Sequence, residues 1–135
     1  MTVLVDTNIL IDIILDDEIW AERSLRAIRQ AAQRAPLAIN IIVYAELAAG
    51  YGNTAQLDAL MVEWNVALAE IPREAALLAG QAFKRYRQSG GTRTGVLSDF
   101  FIGAHADAGR LPLLTRDVKR YRTYFPRVEL IVPTA

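Results

Sequence analysis

The run Thr2-Val3-Leu4-Val5-Asp6-Thr7-Asn8 decides the fold. Its apolar, β-branched start is too short for a helix and reads as a strand over Thr2–Val5. The strand stops at Asp6-Thr7-Asn8, and helical spacing follows over Asn8–Leu15. A buried strand that runs straight into a helix through an acid is the start of a strand–helix–strand unit. The pattern repeats outward from there. Glu18–Arg34 reads as a helix with Trp20, Leu25 and Ile28 on its apolar stripe, and Pro36 breaks it. Leu37–Ile39 reads as a second strand, and Asn40 can cap a helix over Ile42–Ala49. Gly50 and Gly52 should end that helix, with Asn53 or Thr54 capping the next through Trp64. Val66–Ile71 reads as a third strand. Pro72 suits the first turn of a long helix ending at Ser89-Gly90-Gly91. Ser98 can cap a helix over Asp99–Ala108, and Leu111–Leu114 and Val128–Val132 read as the fourth and fifth strands. Strands alternating with helices predict a parallel sheet covered by helices on both faces.

The chain has 135 residues, 53% of them hydrophobic, which suits one domain over 1–135 and excludes disorder. It has no Cys and one His, so disulfides, thiolate chemistry and a zinc site of several His or Cys ligands are excluded. Any metal must sit on carboxylate oxygen, which suits Mg²⁺ or Mn²⁺. No basic segment precedes an apolar run, and no apolar run approaches the roughly 18 residues of a membrane span. The expectation is a soluble, cytosolic protein with no membrane partner. Fifteen basic and fifteen acidic residues cancel, yet they are unevenly placed. Residues 1–22 hold six acids and no base, whereas residues 84–127 hold ten bases, eight of them Arg, and three acids. Solvated helix faces account for most such runs, but an Arg-rich segment also suits a phosphate-bearing partner.

In parallel sheets of this kind, ligands bind beyond the carboxyl ends of the strands. Asp6 directly follows the first strand, and Asp117 lies three residues after Leu114. Asp99 falls in the first turn of a helix, and Glu46 in the helix after the second strand. Glu46 is set in Ile42-Val43-Tyr44-Ala45-Glu46-Leu47-Ala48, and Asp99 precedes Phe100-Phe101-Ile102. Carboxylates in such apolar surroundings are costly unless neutralised. Two of them about 4 Å apart repel by roughly 4 kcal/mol at an effective dielectric of 20. A divalent cation resolves the repulsion and brings hydrolytic chemistry with it. Capping is the competing role for Asp99 and Asp117. Asp12, Asp16, Asp17, Asp58, Glu63, Glu70 and Asp107 lack this context and read as surface acids.

These pieces, Val3-Leu4-Val5-Asp6-Thr7-Asn8, Glu46, Ser98-Asp99-Phe100-Phe101-Ile102-Gly103-Ala104 and Leu114-Thr115-Arg116-Asp117, together resemble a PIN domain. More closely, the chain is similar to the VapC-type ribonuclease toxins of bacterial toxin–antitoxin pairs. The ending Tyr121-Arg122-Thr123-Tyr124-Phe125-Pro126 shares that likeness, which covers essentially the whole chain. The resemblance implies a three-layer α/β sandwich with a parallel sheet of four or five strands. It implies a Mg²⁺- or Mn²⁺-dependent endoribonuclease whose acidic quartet is Asp6, Glu46, Asp99 and Asp117, supported by Asn8 and Thr115. It also implies an RNA substrate (transfer or ribosomal RNA among them), a cognate antitoxin and a homodimer.

Other residues carry less. His105 lies six residues after Asp99, about 240° round an ideal helix, so packing or hydrogen bonding suits it better than a place in the site. Gly103 reads as a close-packing position, and Trp20, Trp64, Phe100 and Phe101 as core. A Ser-His-Asp hydrolase lacks its nucleophile elbow. A phosphorelay receiver would need a second acid after strand one and an Asp after strand three. An RNA-binding scaffold of PIN type without catalysis is the remaining alternative.

Overall fold

The computed structural model describes residues 1–51, 54–93 and 95–134. The elements in chain order are β1 (Val3–Val5), α1 (Thr7–Ile14), α2 (Ala21–Arg34), β2 (Leu37–Asn40), α3 (Ile41–Tyr51) and α4 (Thr54–Glu63). They continue with β3 (Val66–Ala69), α5 (Arg73–Gln88), α6 (Val96–Gly109), β4 (Leu113–Leu114), α7 (Val118–Tyr124) and β5 (Leu130–Ile131).

The five strands form one parallel sheet in the order β3-β2-β1-β4-β5. β1 lies at the centre, with Leu4 opposite both Ala38 and Leu113. Every residue of β1, β2 and β4 is buried, as expected where helices cover both faces. The chain first builds outward from β1 through β2 to β3, then returns to the other side of β1 for β4 and β5. With right-handed crossovers, that reversal puts the helices of the two halves on opposite faces. It also makes the β1/β4 junction the topological switch point, the place at which open parallel sheets generally bind their ligands, beyond the carboxyl ends.

The expected strands and helices are present, with shifted ends. α2 begins at Ala21 rather than Glu18 because the Asp17 carboxylate accepts from the Ile19 and Trp20 amides and holds a turn there. β4 and β5 are shorter than expected. α3 runs through Gly50 to Tyr51, and Gly52 and Asn53, expected to end it and to cap α4, lie outside the described residues. α6 starts at Val96, and Ser98 does not cap it; its hydroxyl donates back to the Gly95 carbonyl instead. The seven-residue α7 is the short segment that Asp117 was expected to cap; Asp117 stands at its N-cap but makes no side-chain cap bond. No helix among the described residues is long and apolar enough to cross a membrane.

Packing explains two singled-out residues. A Cβ at Gly103 would lie 2.5 Å from Phe125 Cδ2 and 3.0 Å from Tyr121 Cδ1, so this glycine lets α6 approach α7. His105 is buried, with Nδ1 3.1 Å from Asn40 Nδ2, and burial lowers its pKa. Asn40 Oδ1 accepts from the Val43 amide and caps α3.

Candidate active site

Asp6 is the hub. It ends β1 and caps α1, its Oδ1 accepting from the Thr7 amide at 2.7 Å. Its Oδ2 accepts from Thr115 Oγ1 at 2.7 Å, Tyr121 Oη at 2.9 Å and Asn8 Nδ2 at 3.3 Å. The carboxyl group is 3% exposed, and burial raises its pKa against the lowering effect of these donors. The position follows from topology, since the Asp6 amide donates to Leu114 O across the β1/β4 junction. Thr115, at the end of β4, is therefore its neighbour.

Thr115 serves both sides of the junction. Besides donating to Asp6, its Oγ1 accepts from the Asp117 amide at 3.0 Å. Asn8 accepts from the Arg116 amide at 3.2 Å and so ties the same turn to α1. Glu46, half-buried in α3, accepts from Thr7 Oγ1 at 2.7 Å. Asp99 projects from the first turn of α6, and its pKa is raised to about 6. Burial is the main cause and Arg120 opposes it, while Asp6, Glu46 and Asp117 each push it further up. The other three expected acids thus all act electrostatically on Asp99.

Neither Asp99 nor Asp117 is absorbed by capping. Gly95 is the N-cap of α6, and Asp117, at the N-cap of α7, makes no side-chain cap bond. Both turn instead to Arg120, whose Nη1 donates to Asp99 Oδ2 and, at 3.3 Å, to Asp117 Oδ2. Among the described residues, no three His, Cys, Asp or Glu side chains are drawn together as a ready ligand set. The donors are nonetheless all carboxylate oxygen with hydroxyl and amide support, which fits a hard divalent cation kept partly hydrated.

Three contributors escaped the sequence reading. Tyr121 is buried at 1% exposure, with its hydroxyl on Asp6 and its own pKa raised by burial and by the acids around it. Arg120 was legible only as part of a basic run. Asp12 read as a surface acid, but it is 2% exposed. Arg116 holds it in a fork, Nε to Oδ2 at 2.7 Å and Nη2 to Oδ1 at 2.8 Å, and Ser24 Oγ donates to it at 2.9 Å. The Arg116 guanidinium also lies 4.6 Å from the centre of the Trp20 ring. This clamp fastens the turn carrying Thr115 and Asp117 onto α1 and α2. Asp107, also read as surface, pairs with Arg127 at 3.0 Å, its side chain largely covered. Helical spacing gave a signal for Asp12, which lies four residues after Asn8 and so shares its face.

The PIN domain family model matches residues 3–126, nearly the whole sheet and every residue of this edge. The chain belongs to the PIN domain family. Solved structures agree with the PIN fold. A chain of the VapBC2 complex from Rickettsia felis, crystallised with a DNA fragment from its promoter, superposes with a TM-score of 0.77 at 21% identity, covering 99% of this chain and 100% of that one. A chain of VapBC-1 from nontypeable Haemophilus influenzae gives 0.72 at 20%, covering 98% of each. A chain of a toxin–antitoxin complex from Klebsiella pneumoniae gives 0.69 at 24%, again covering 98% of each. Among curated protein sequences none matches this PIN domain.

Proposed function

We propose that this PIN domain is a divalent-metal-dependent endoribonuclease, the toxin of a type II toxin–antitoxin pair. The observation that carries the reading is that Asp6, Glu46 and Asp117 all act on Asp99 across the β1/β4 switch point and help hold it near a pKa of 6. These four are the residues that would hold Mg²⁺ or Mn²⁺. Such an ion, when bound, makes a water more acidic and offsets charge on a phosphate.

The chain's own groups supply the rest. Thr115, Tyr121 and Asn8 fix the Asp6 carboxylate, so its orientation does not depend on the ligand. Glu46 spends one oxygen on Thr7 and offers the other to the proton of an attacking water. Asp117 is the poorer acceptor because Arg120 pairs with it. The one histidine, His105, is buried against Asn40, so no imidazole serves a ribose 2′-hydroxyl route. Attack by water on phosphorus in line with the 3′ oxygen breaks the P–O3′ bond; the 3′ oxygen leaves and takes up a proton, giving a 3′-hydroxyl and a 5′-phosphate.

Structural relatives solved as toxin–antitoxin complexes support a cognate antitoxin. Transfer or ribosomal RNA as substrate, and the cytoplasm as the place of action, follow from the VapC-type resemblance of the sequence. The exposed Leu15, Ile19, Val62 and Leu77 offer apolar surface to that partner or to a second copy in a homodimer. The test is cleavage of a fluorogenic RNA with and without Mg²⁺ or Mn²⁺, followed by end-labelling of the fragments. Metal-dependent cutting with 5′-phosphate ends is expected. A 2′,3′-cyclic phosphate, or full activity in EDTA, overturns the mechanism. RNA binding without cutting at any metal concentration leaves only an RNA-binding scaffold.

A further inference from the structure

The acidic edge already contains a cation of its own. Arg120 Nη1 reaches both Asp99 Oδ2 and Asp117 Oδ2, which come from α6 and from the turn before α7. The arginine side chain is 23% exposed, against 30% for Asp99 and 38% for Asp117. A charge this well covered, on two carboxylates at once, is more than a solvated surface ion pair. Its neighbours in the basic run do not share the position. Lys119 and Arg122 on the same helix are exposed, and Arg116 is committed to Asp12. The four acids repel one another, so whatever neutralises them without a metal stabilises the fold. Arg120 does this, on oxygen atoms that a divalent ion would also need.

We propose that Arg120 is the resident counter-ion of the cleft and a positioning residue: it holds Asp99 and Asp117 together in the metal-free protein and competes with the divalent cation for them. This inference rests on the reading of the four acids as the metal site. A guanidinium never loses its proton near neutral pH, so the competition is one of occupancy. Metal binding must displace the side chain, and the measured metal affinity is lower than the bare carboxylates would give. Two ligands that exclude each other are negatively coupled, and coupling between sites typically amounts to 5–150-fold, roughly.

The experiment is a Mn²⁺ titration of the full chain by calorimetry, comparing wild type, Arg120→Gln, Arg120→Lys and Asp99→Asn, with thermal melts in EDTA alongside. Arg120→Gln should bind Mn²⁺ about five- to tenfold more tightly than wild type, at the low end of that coupling range. It should also melt lower in EDTA, with the gap closing at saturating Mn²⁺. Arg120→Lys keeps the charge and should bind Mn²⁺ nearly as wild type does. Equal or weaker Mn²⁺ binding by Arg120→Gln overturns the proposal. Should the Gln variant not fold, side-chain NMR of the Arg120 guanidinium in the wild-type chain decides. Its signal should move on adding Mg²⁺, and an unmoved signal at saturation overturns the proposal. Asp99→Asn separates the two readings. If it leaves Mn²⁺ binding unchanged, the metal-site assignment fails, whatever Arg120 does.

Discussion

Asp99 keeps its proton to about pH 6 in the folded chain, whereas an ordinary aspartate releases it near 3.8. Between those values the unfolded chain has lost a proton that the folded chain retains, so the fold loses stability as pH rises through the window. In EDTA, the wild-type melting temperature should therefore fall between about pH 4 and pH 6 by more than that of Asp99→Asn. The Asn variant should melt at or above wild type at pH 7 and cut no RNA. An Asn variant that melts clearly lower would make this carboxylate structural. Thr115 belongs to the same scale. Thr115→Val removes one donor to Asp6 and the acceptor of the Asp117 amide, and should reduce cleavage about 10–100-fold, as losses of groups that orient metal ligands do. Single-turnover kinetics at saturating Mg²⁺ measure it. The acids themselves were legible in the sequence because a carboxylate directly after Val5 or in front of Phe100 is out of place. Tyr121 was not, because an aromatic in a short polar stretch looks the same whether its hydroxyl reaches solvent or Asp6.

α6 and α7 meet at Gly103, and this contact seats Tyr121. Gly103→Ala would drive a methyl group into the Phe125 ring, and overpacking of this kind costs about 1–3 kcal/mol. Urea denaturation should show that loss. RNA cleavage should fall further than stability, since moving Tyr121 disturbs Asp6. A Gly103→Ala chain as stable as wild type would mean that α7 shifts freely. Strands and long helices were readable because β-branched runs, Pro36, Asn40 and Pro72 mark them locally. α7 was harder to read, because Val118–Tyr124 spans only seven residues with no side-chain cap bond and is held by its buried Tyr121 and by packing on α6. Asp12 was misread for a related reason. Its burial depends on Arg116, 104 residues away, and the face it shares with Asn8 does not name that partner.

For the molecule as a whole, the sheet order unites the acidic N-terminal part with the basic C-terminal part at β1 and β4. Some of the basic residues are spent internally, on Asp12, Asp99, Asp117 and Asp107. Others remain for a polyanion. Arg85 and Arg87 lie in the last turn of α5, and Arg93 follows in the loop. Replacing these three with Gln should flatten the slope of log Kd against log salt for RNA by roughly 2, three lost contacts at about 0.7 each on a single strand. Fluorescence anisotropy across a salt series measures it, and an unchanged slope returns the three to solvated surface. The fold class was legible because strand and helix signals alternate along the chain. The strand order was not, because pairing β1 with β4 depends on contacts more than a hundred residues apart.

That separation bears on how the protein is made. Asp6 leaves the ribosome well ahead of Thr115 and Tyr121, which hold its carboxylate and follow 109 and 115 residues later. Synthesis runs from the N-terminus at about 5–20 residues per second, so Asp6 waits several seconds for them. During that time it has only the Thr7 amide and Asn8 nearby. The nascent chain can pair β1 with β2 and β3, but it cannot assemble the edge at which the four acids meet. With the proposed activity, a half-made copy is harmless to the transcript still threaded through its ribosome, and the capacity to cut RNA arrives only once α7 has been made.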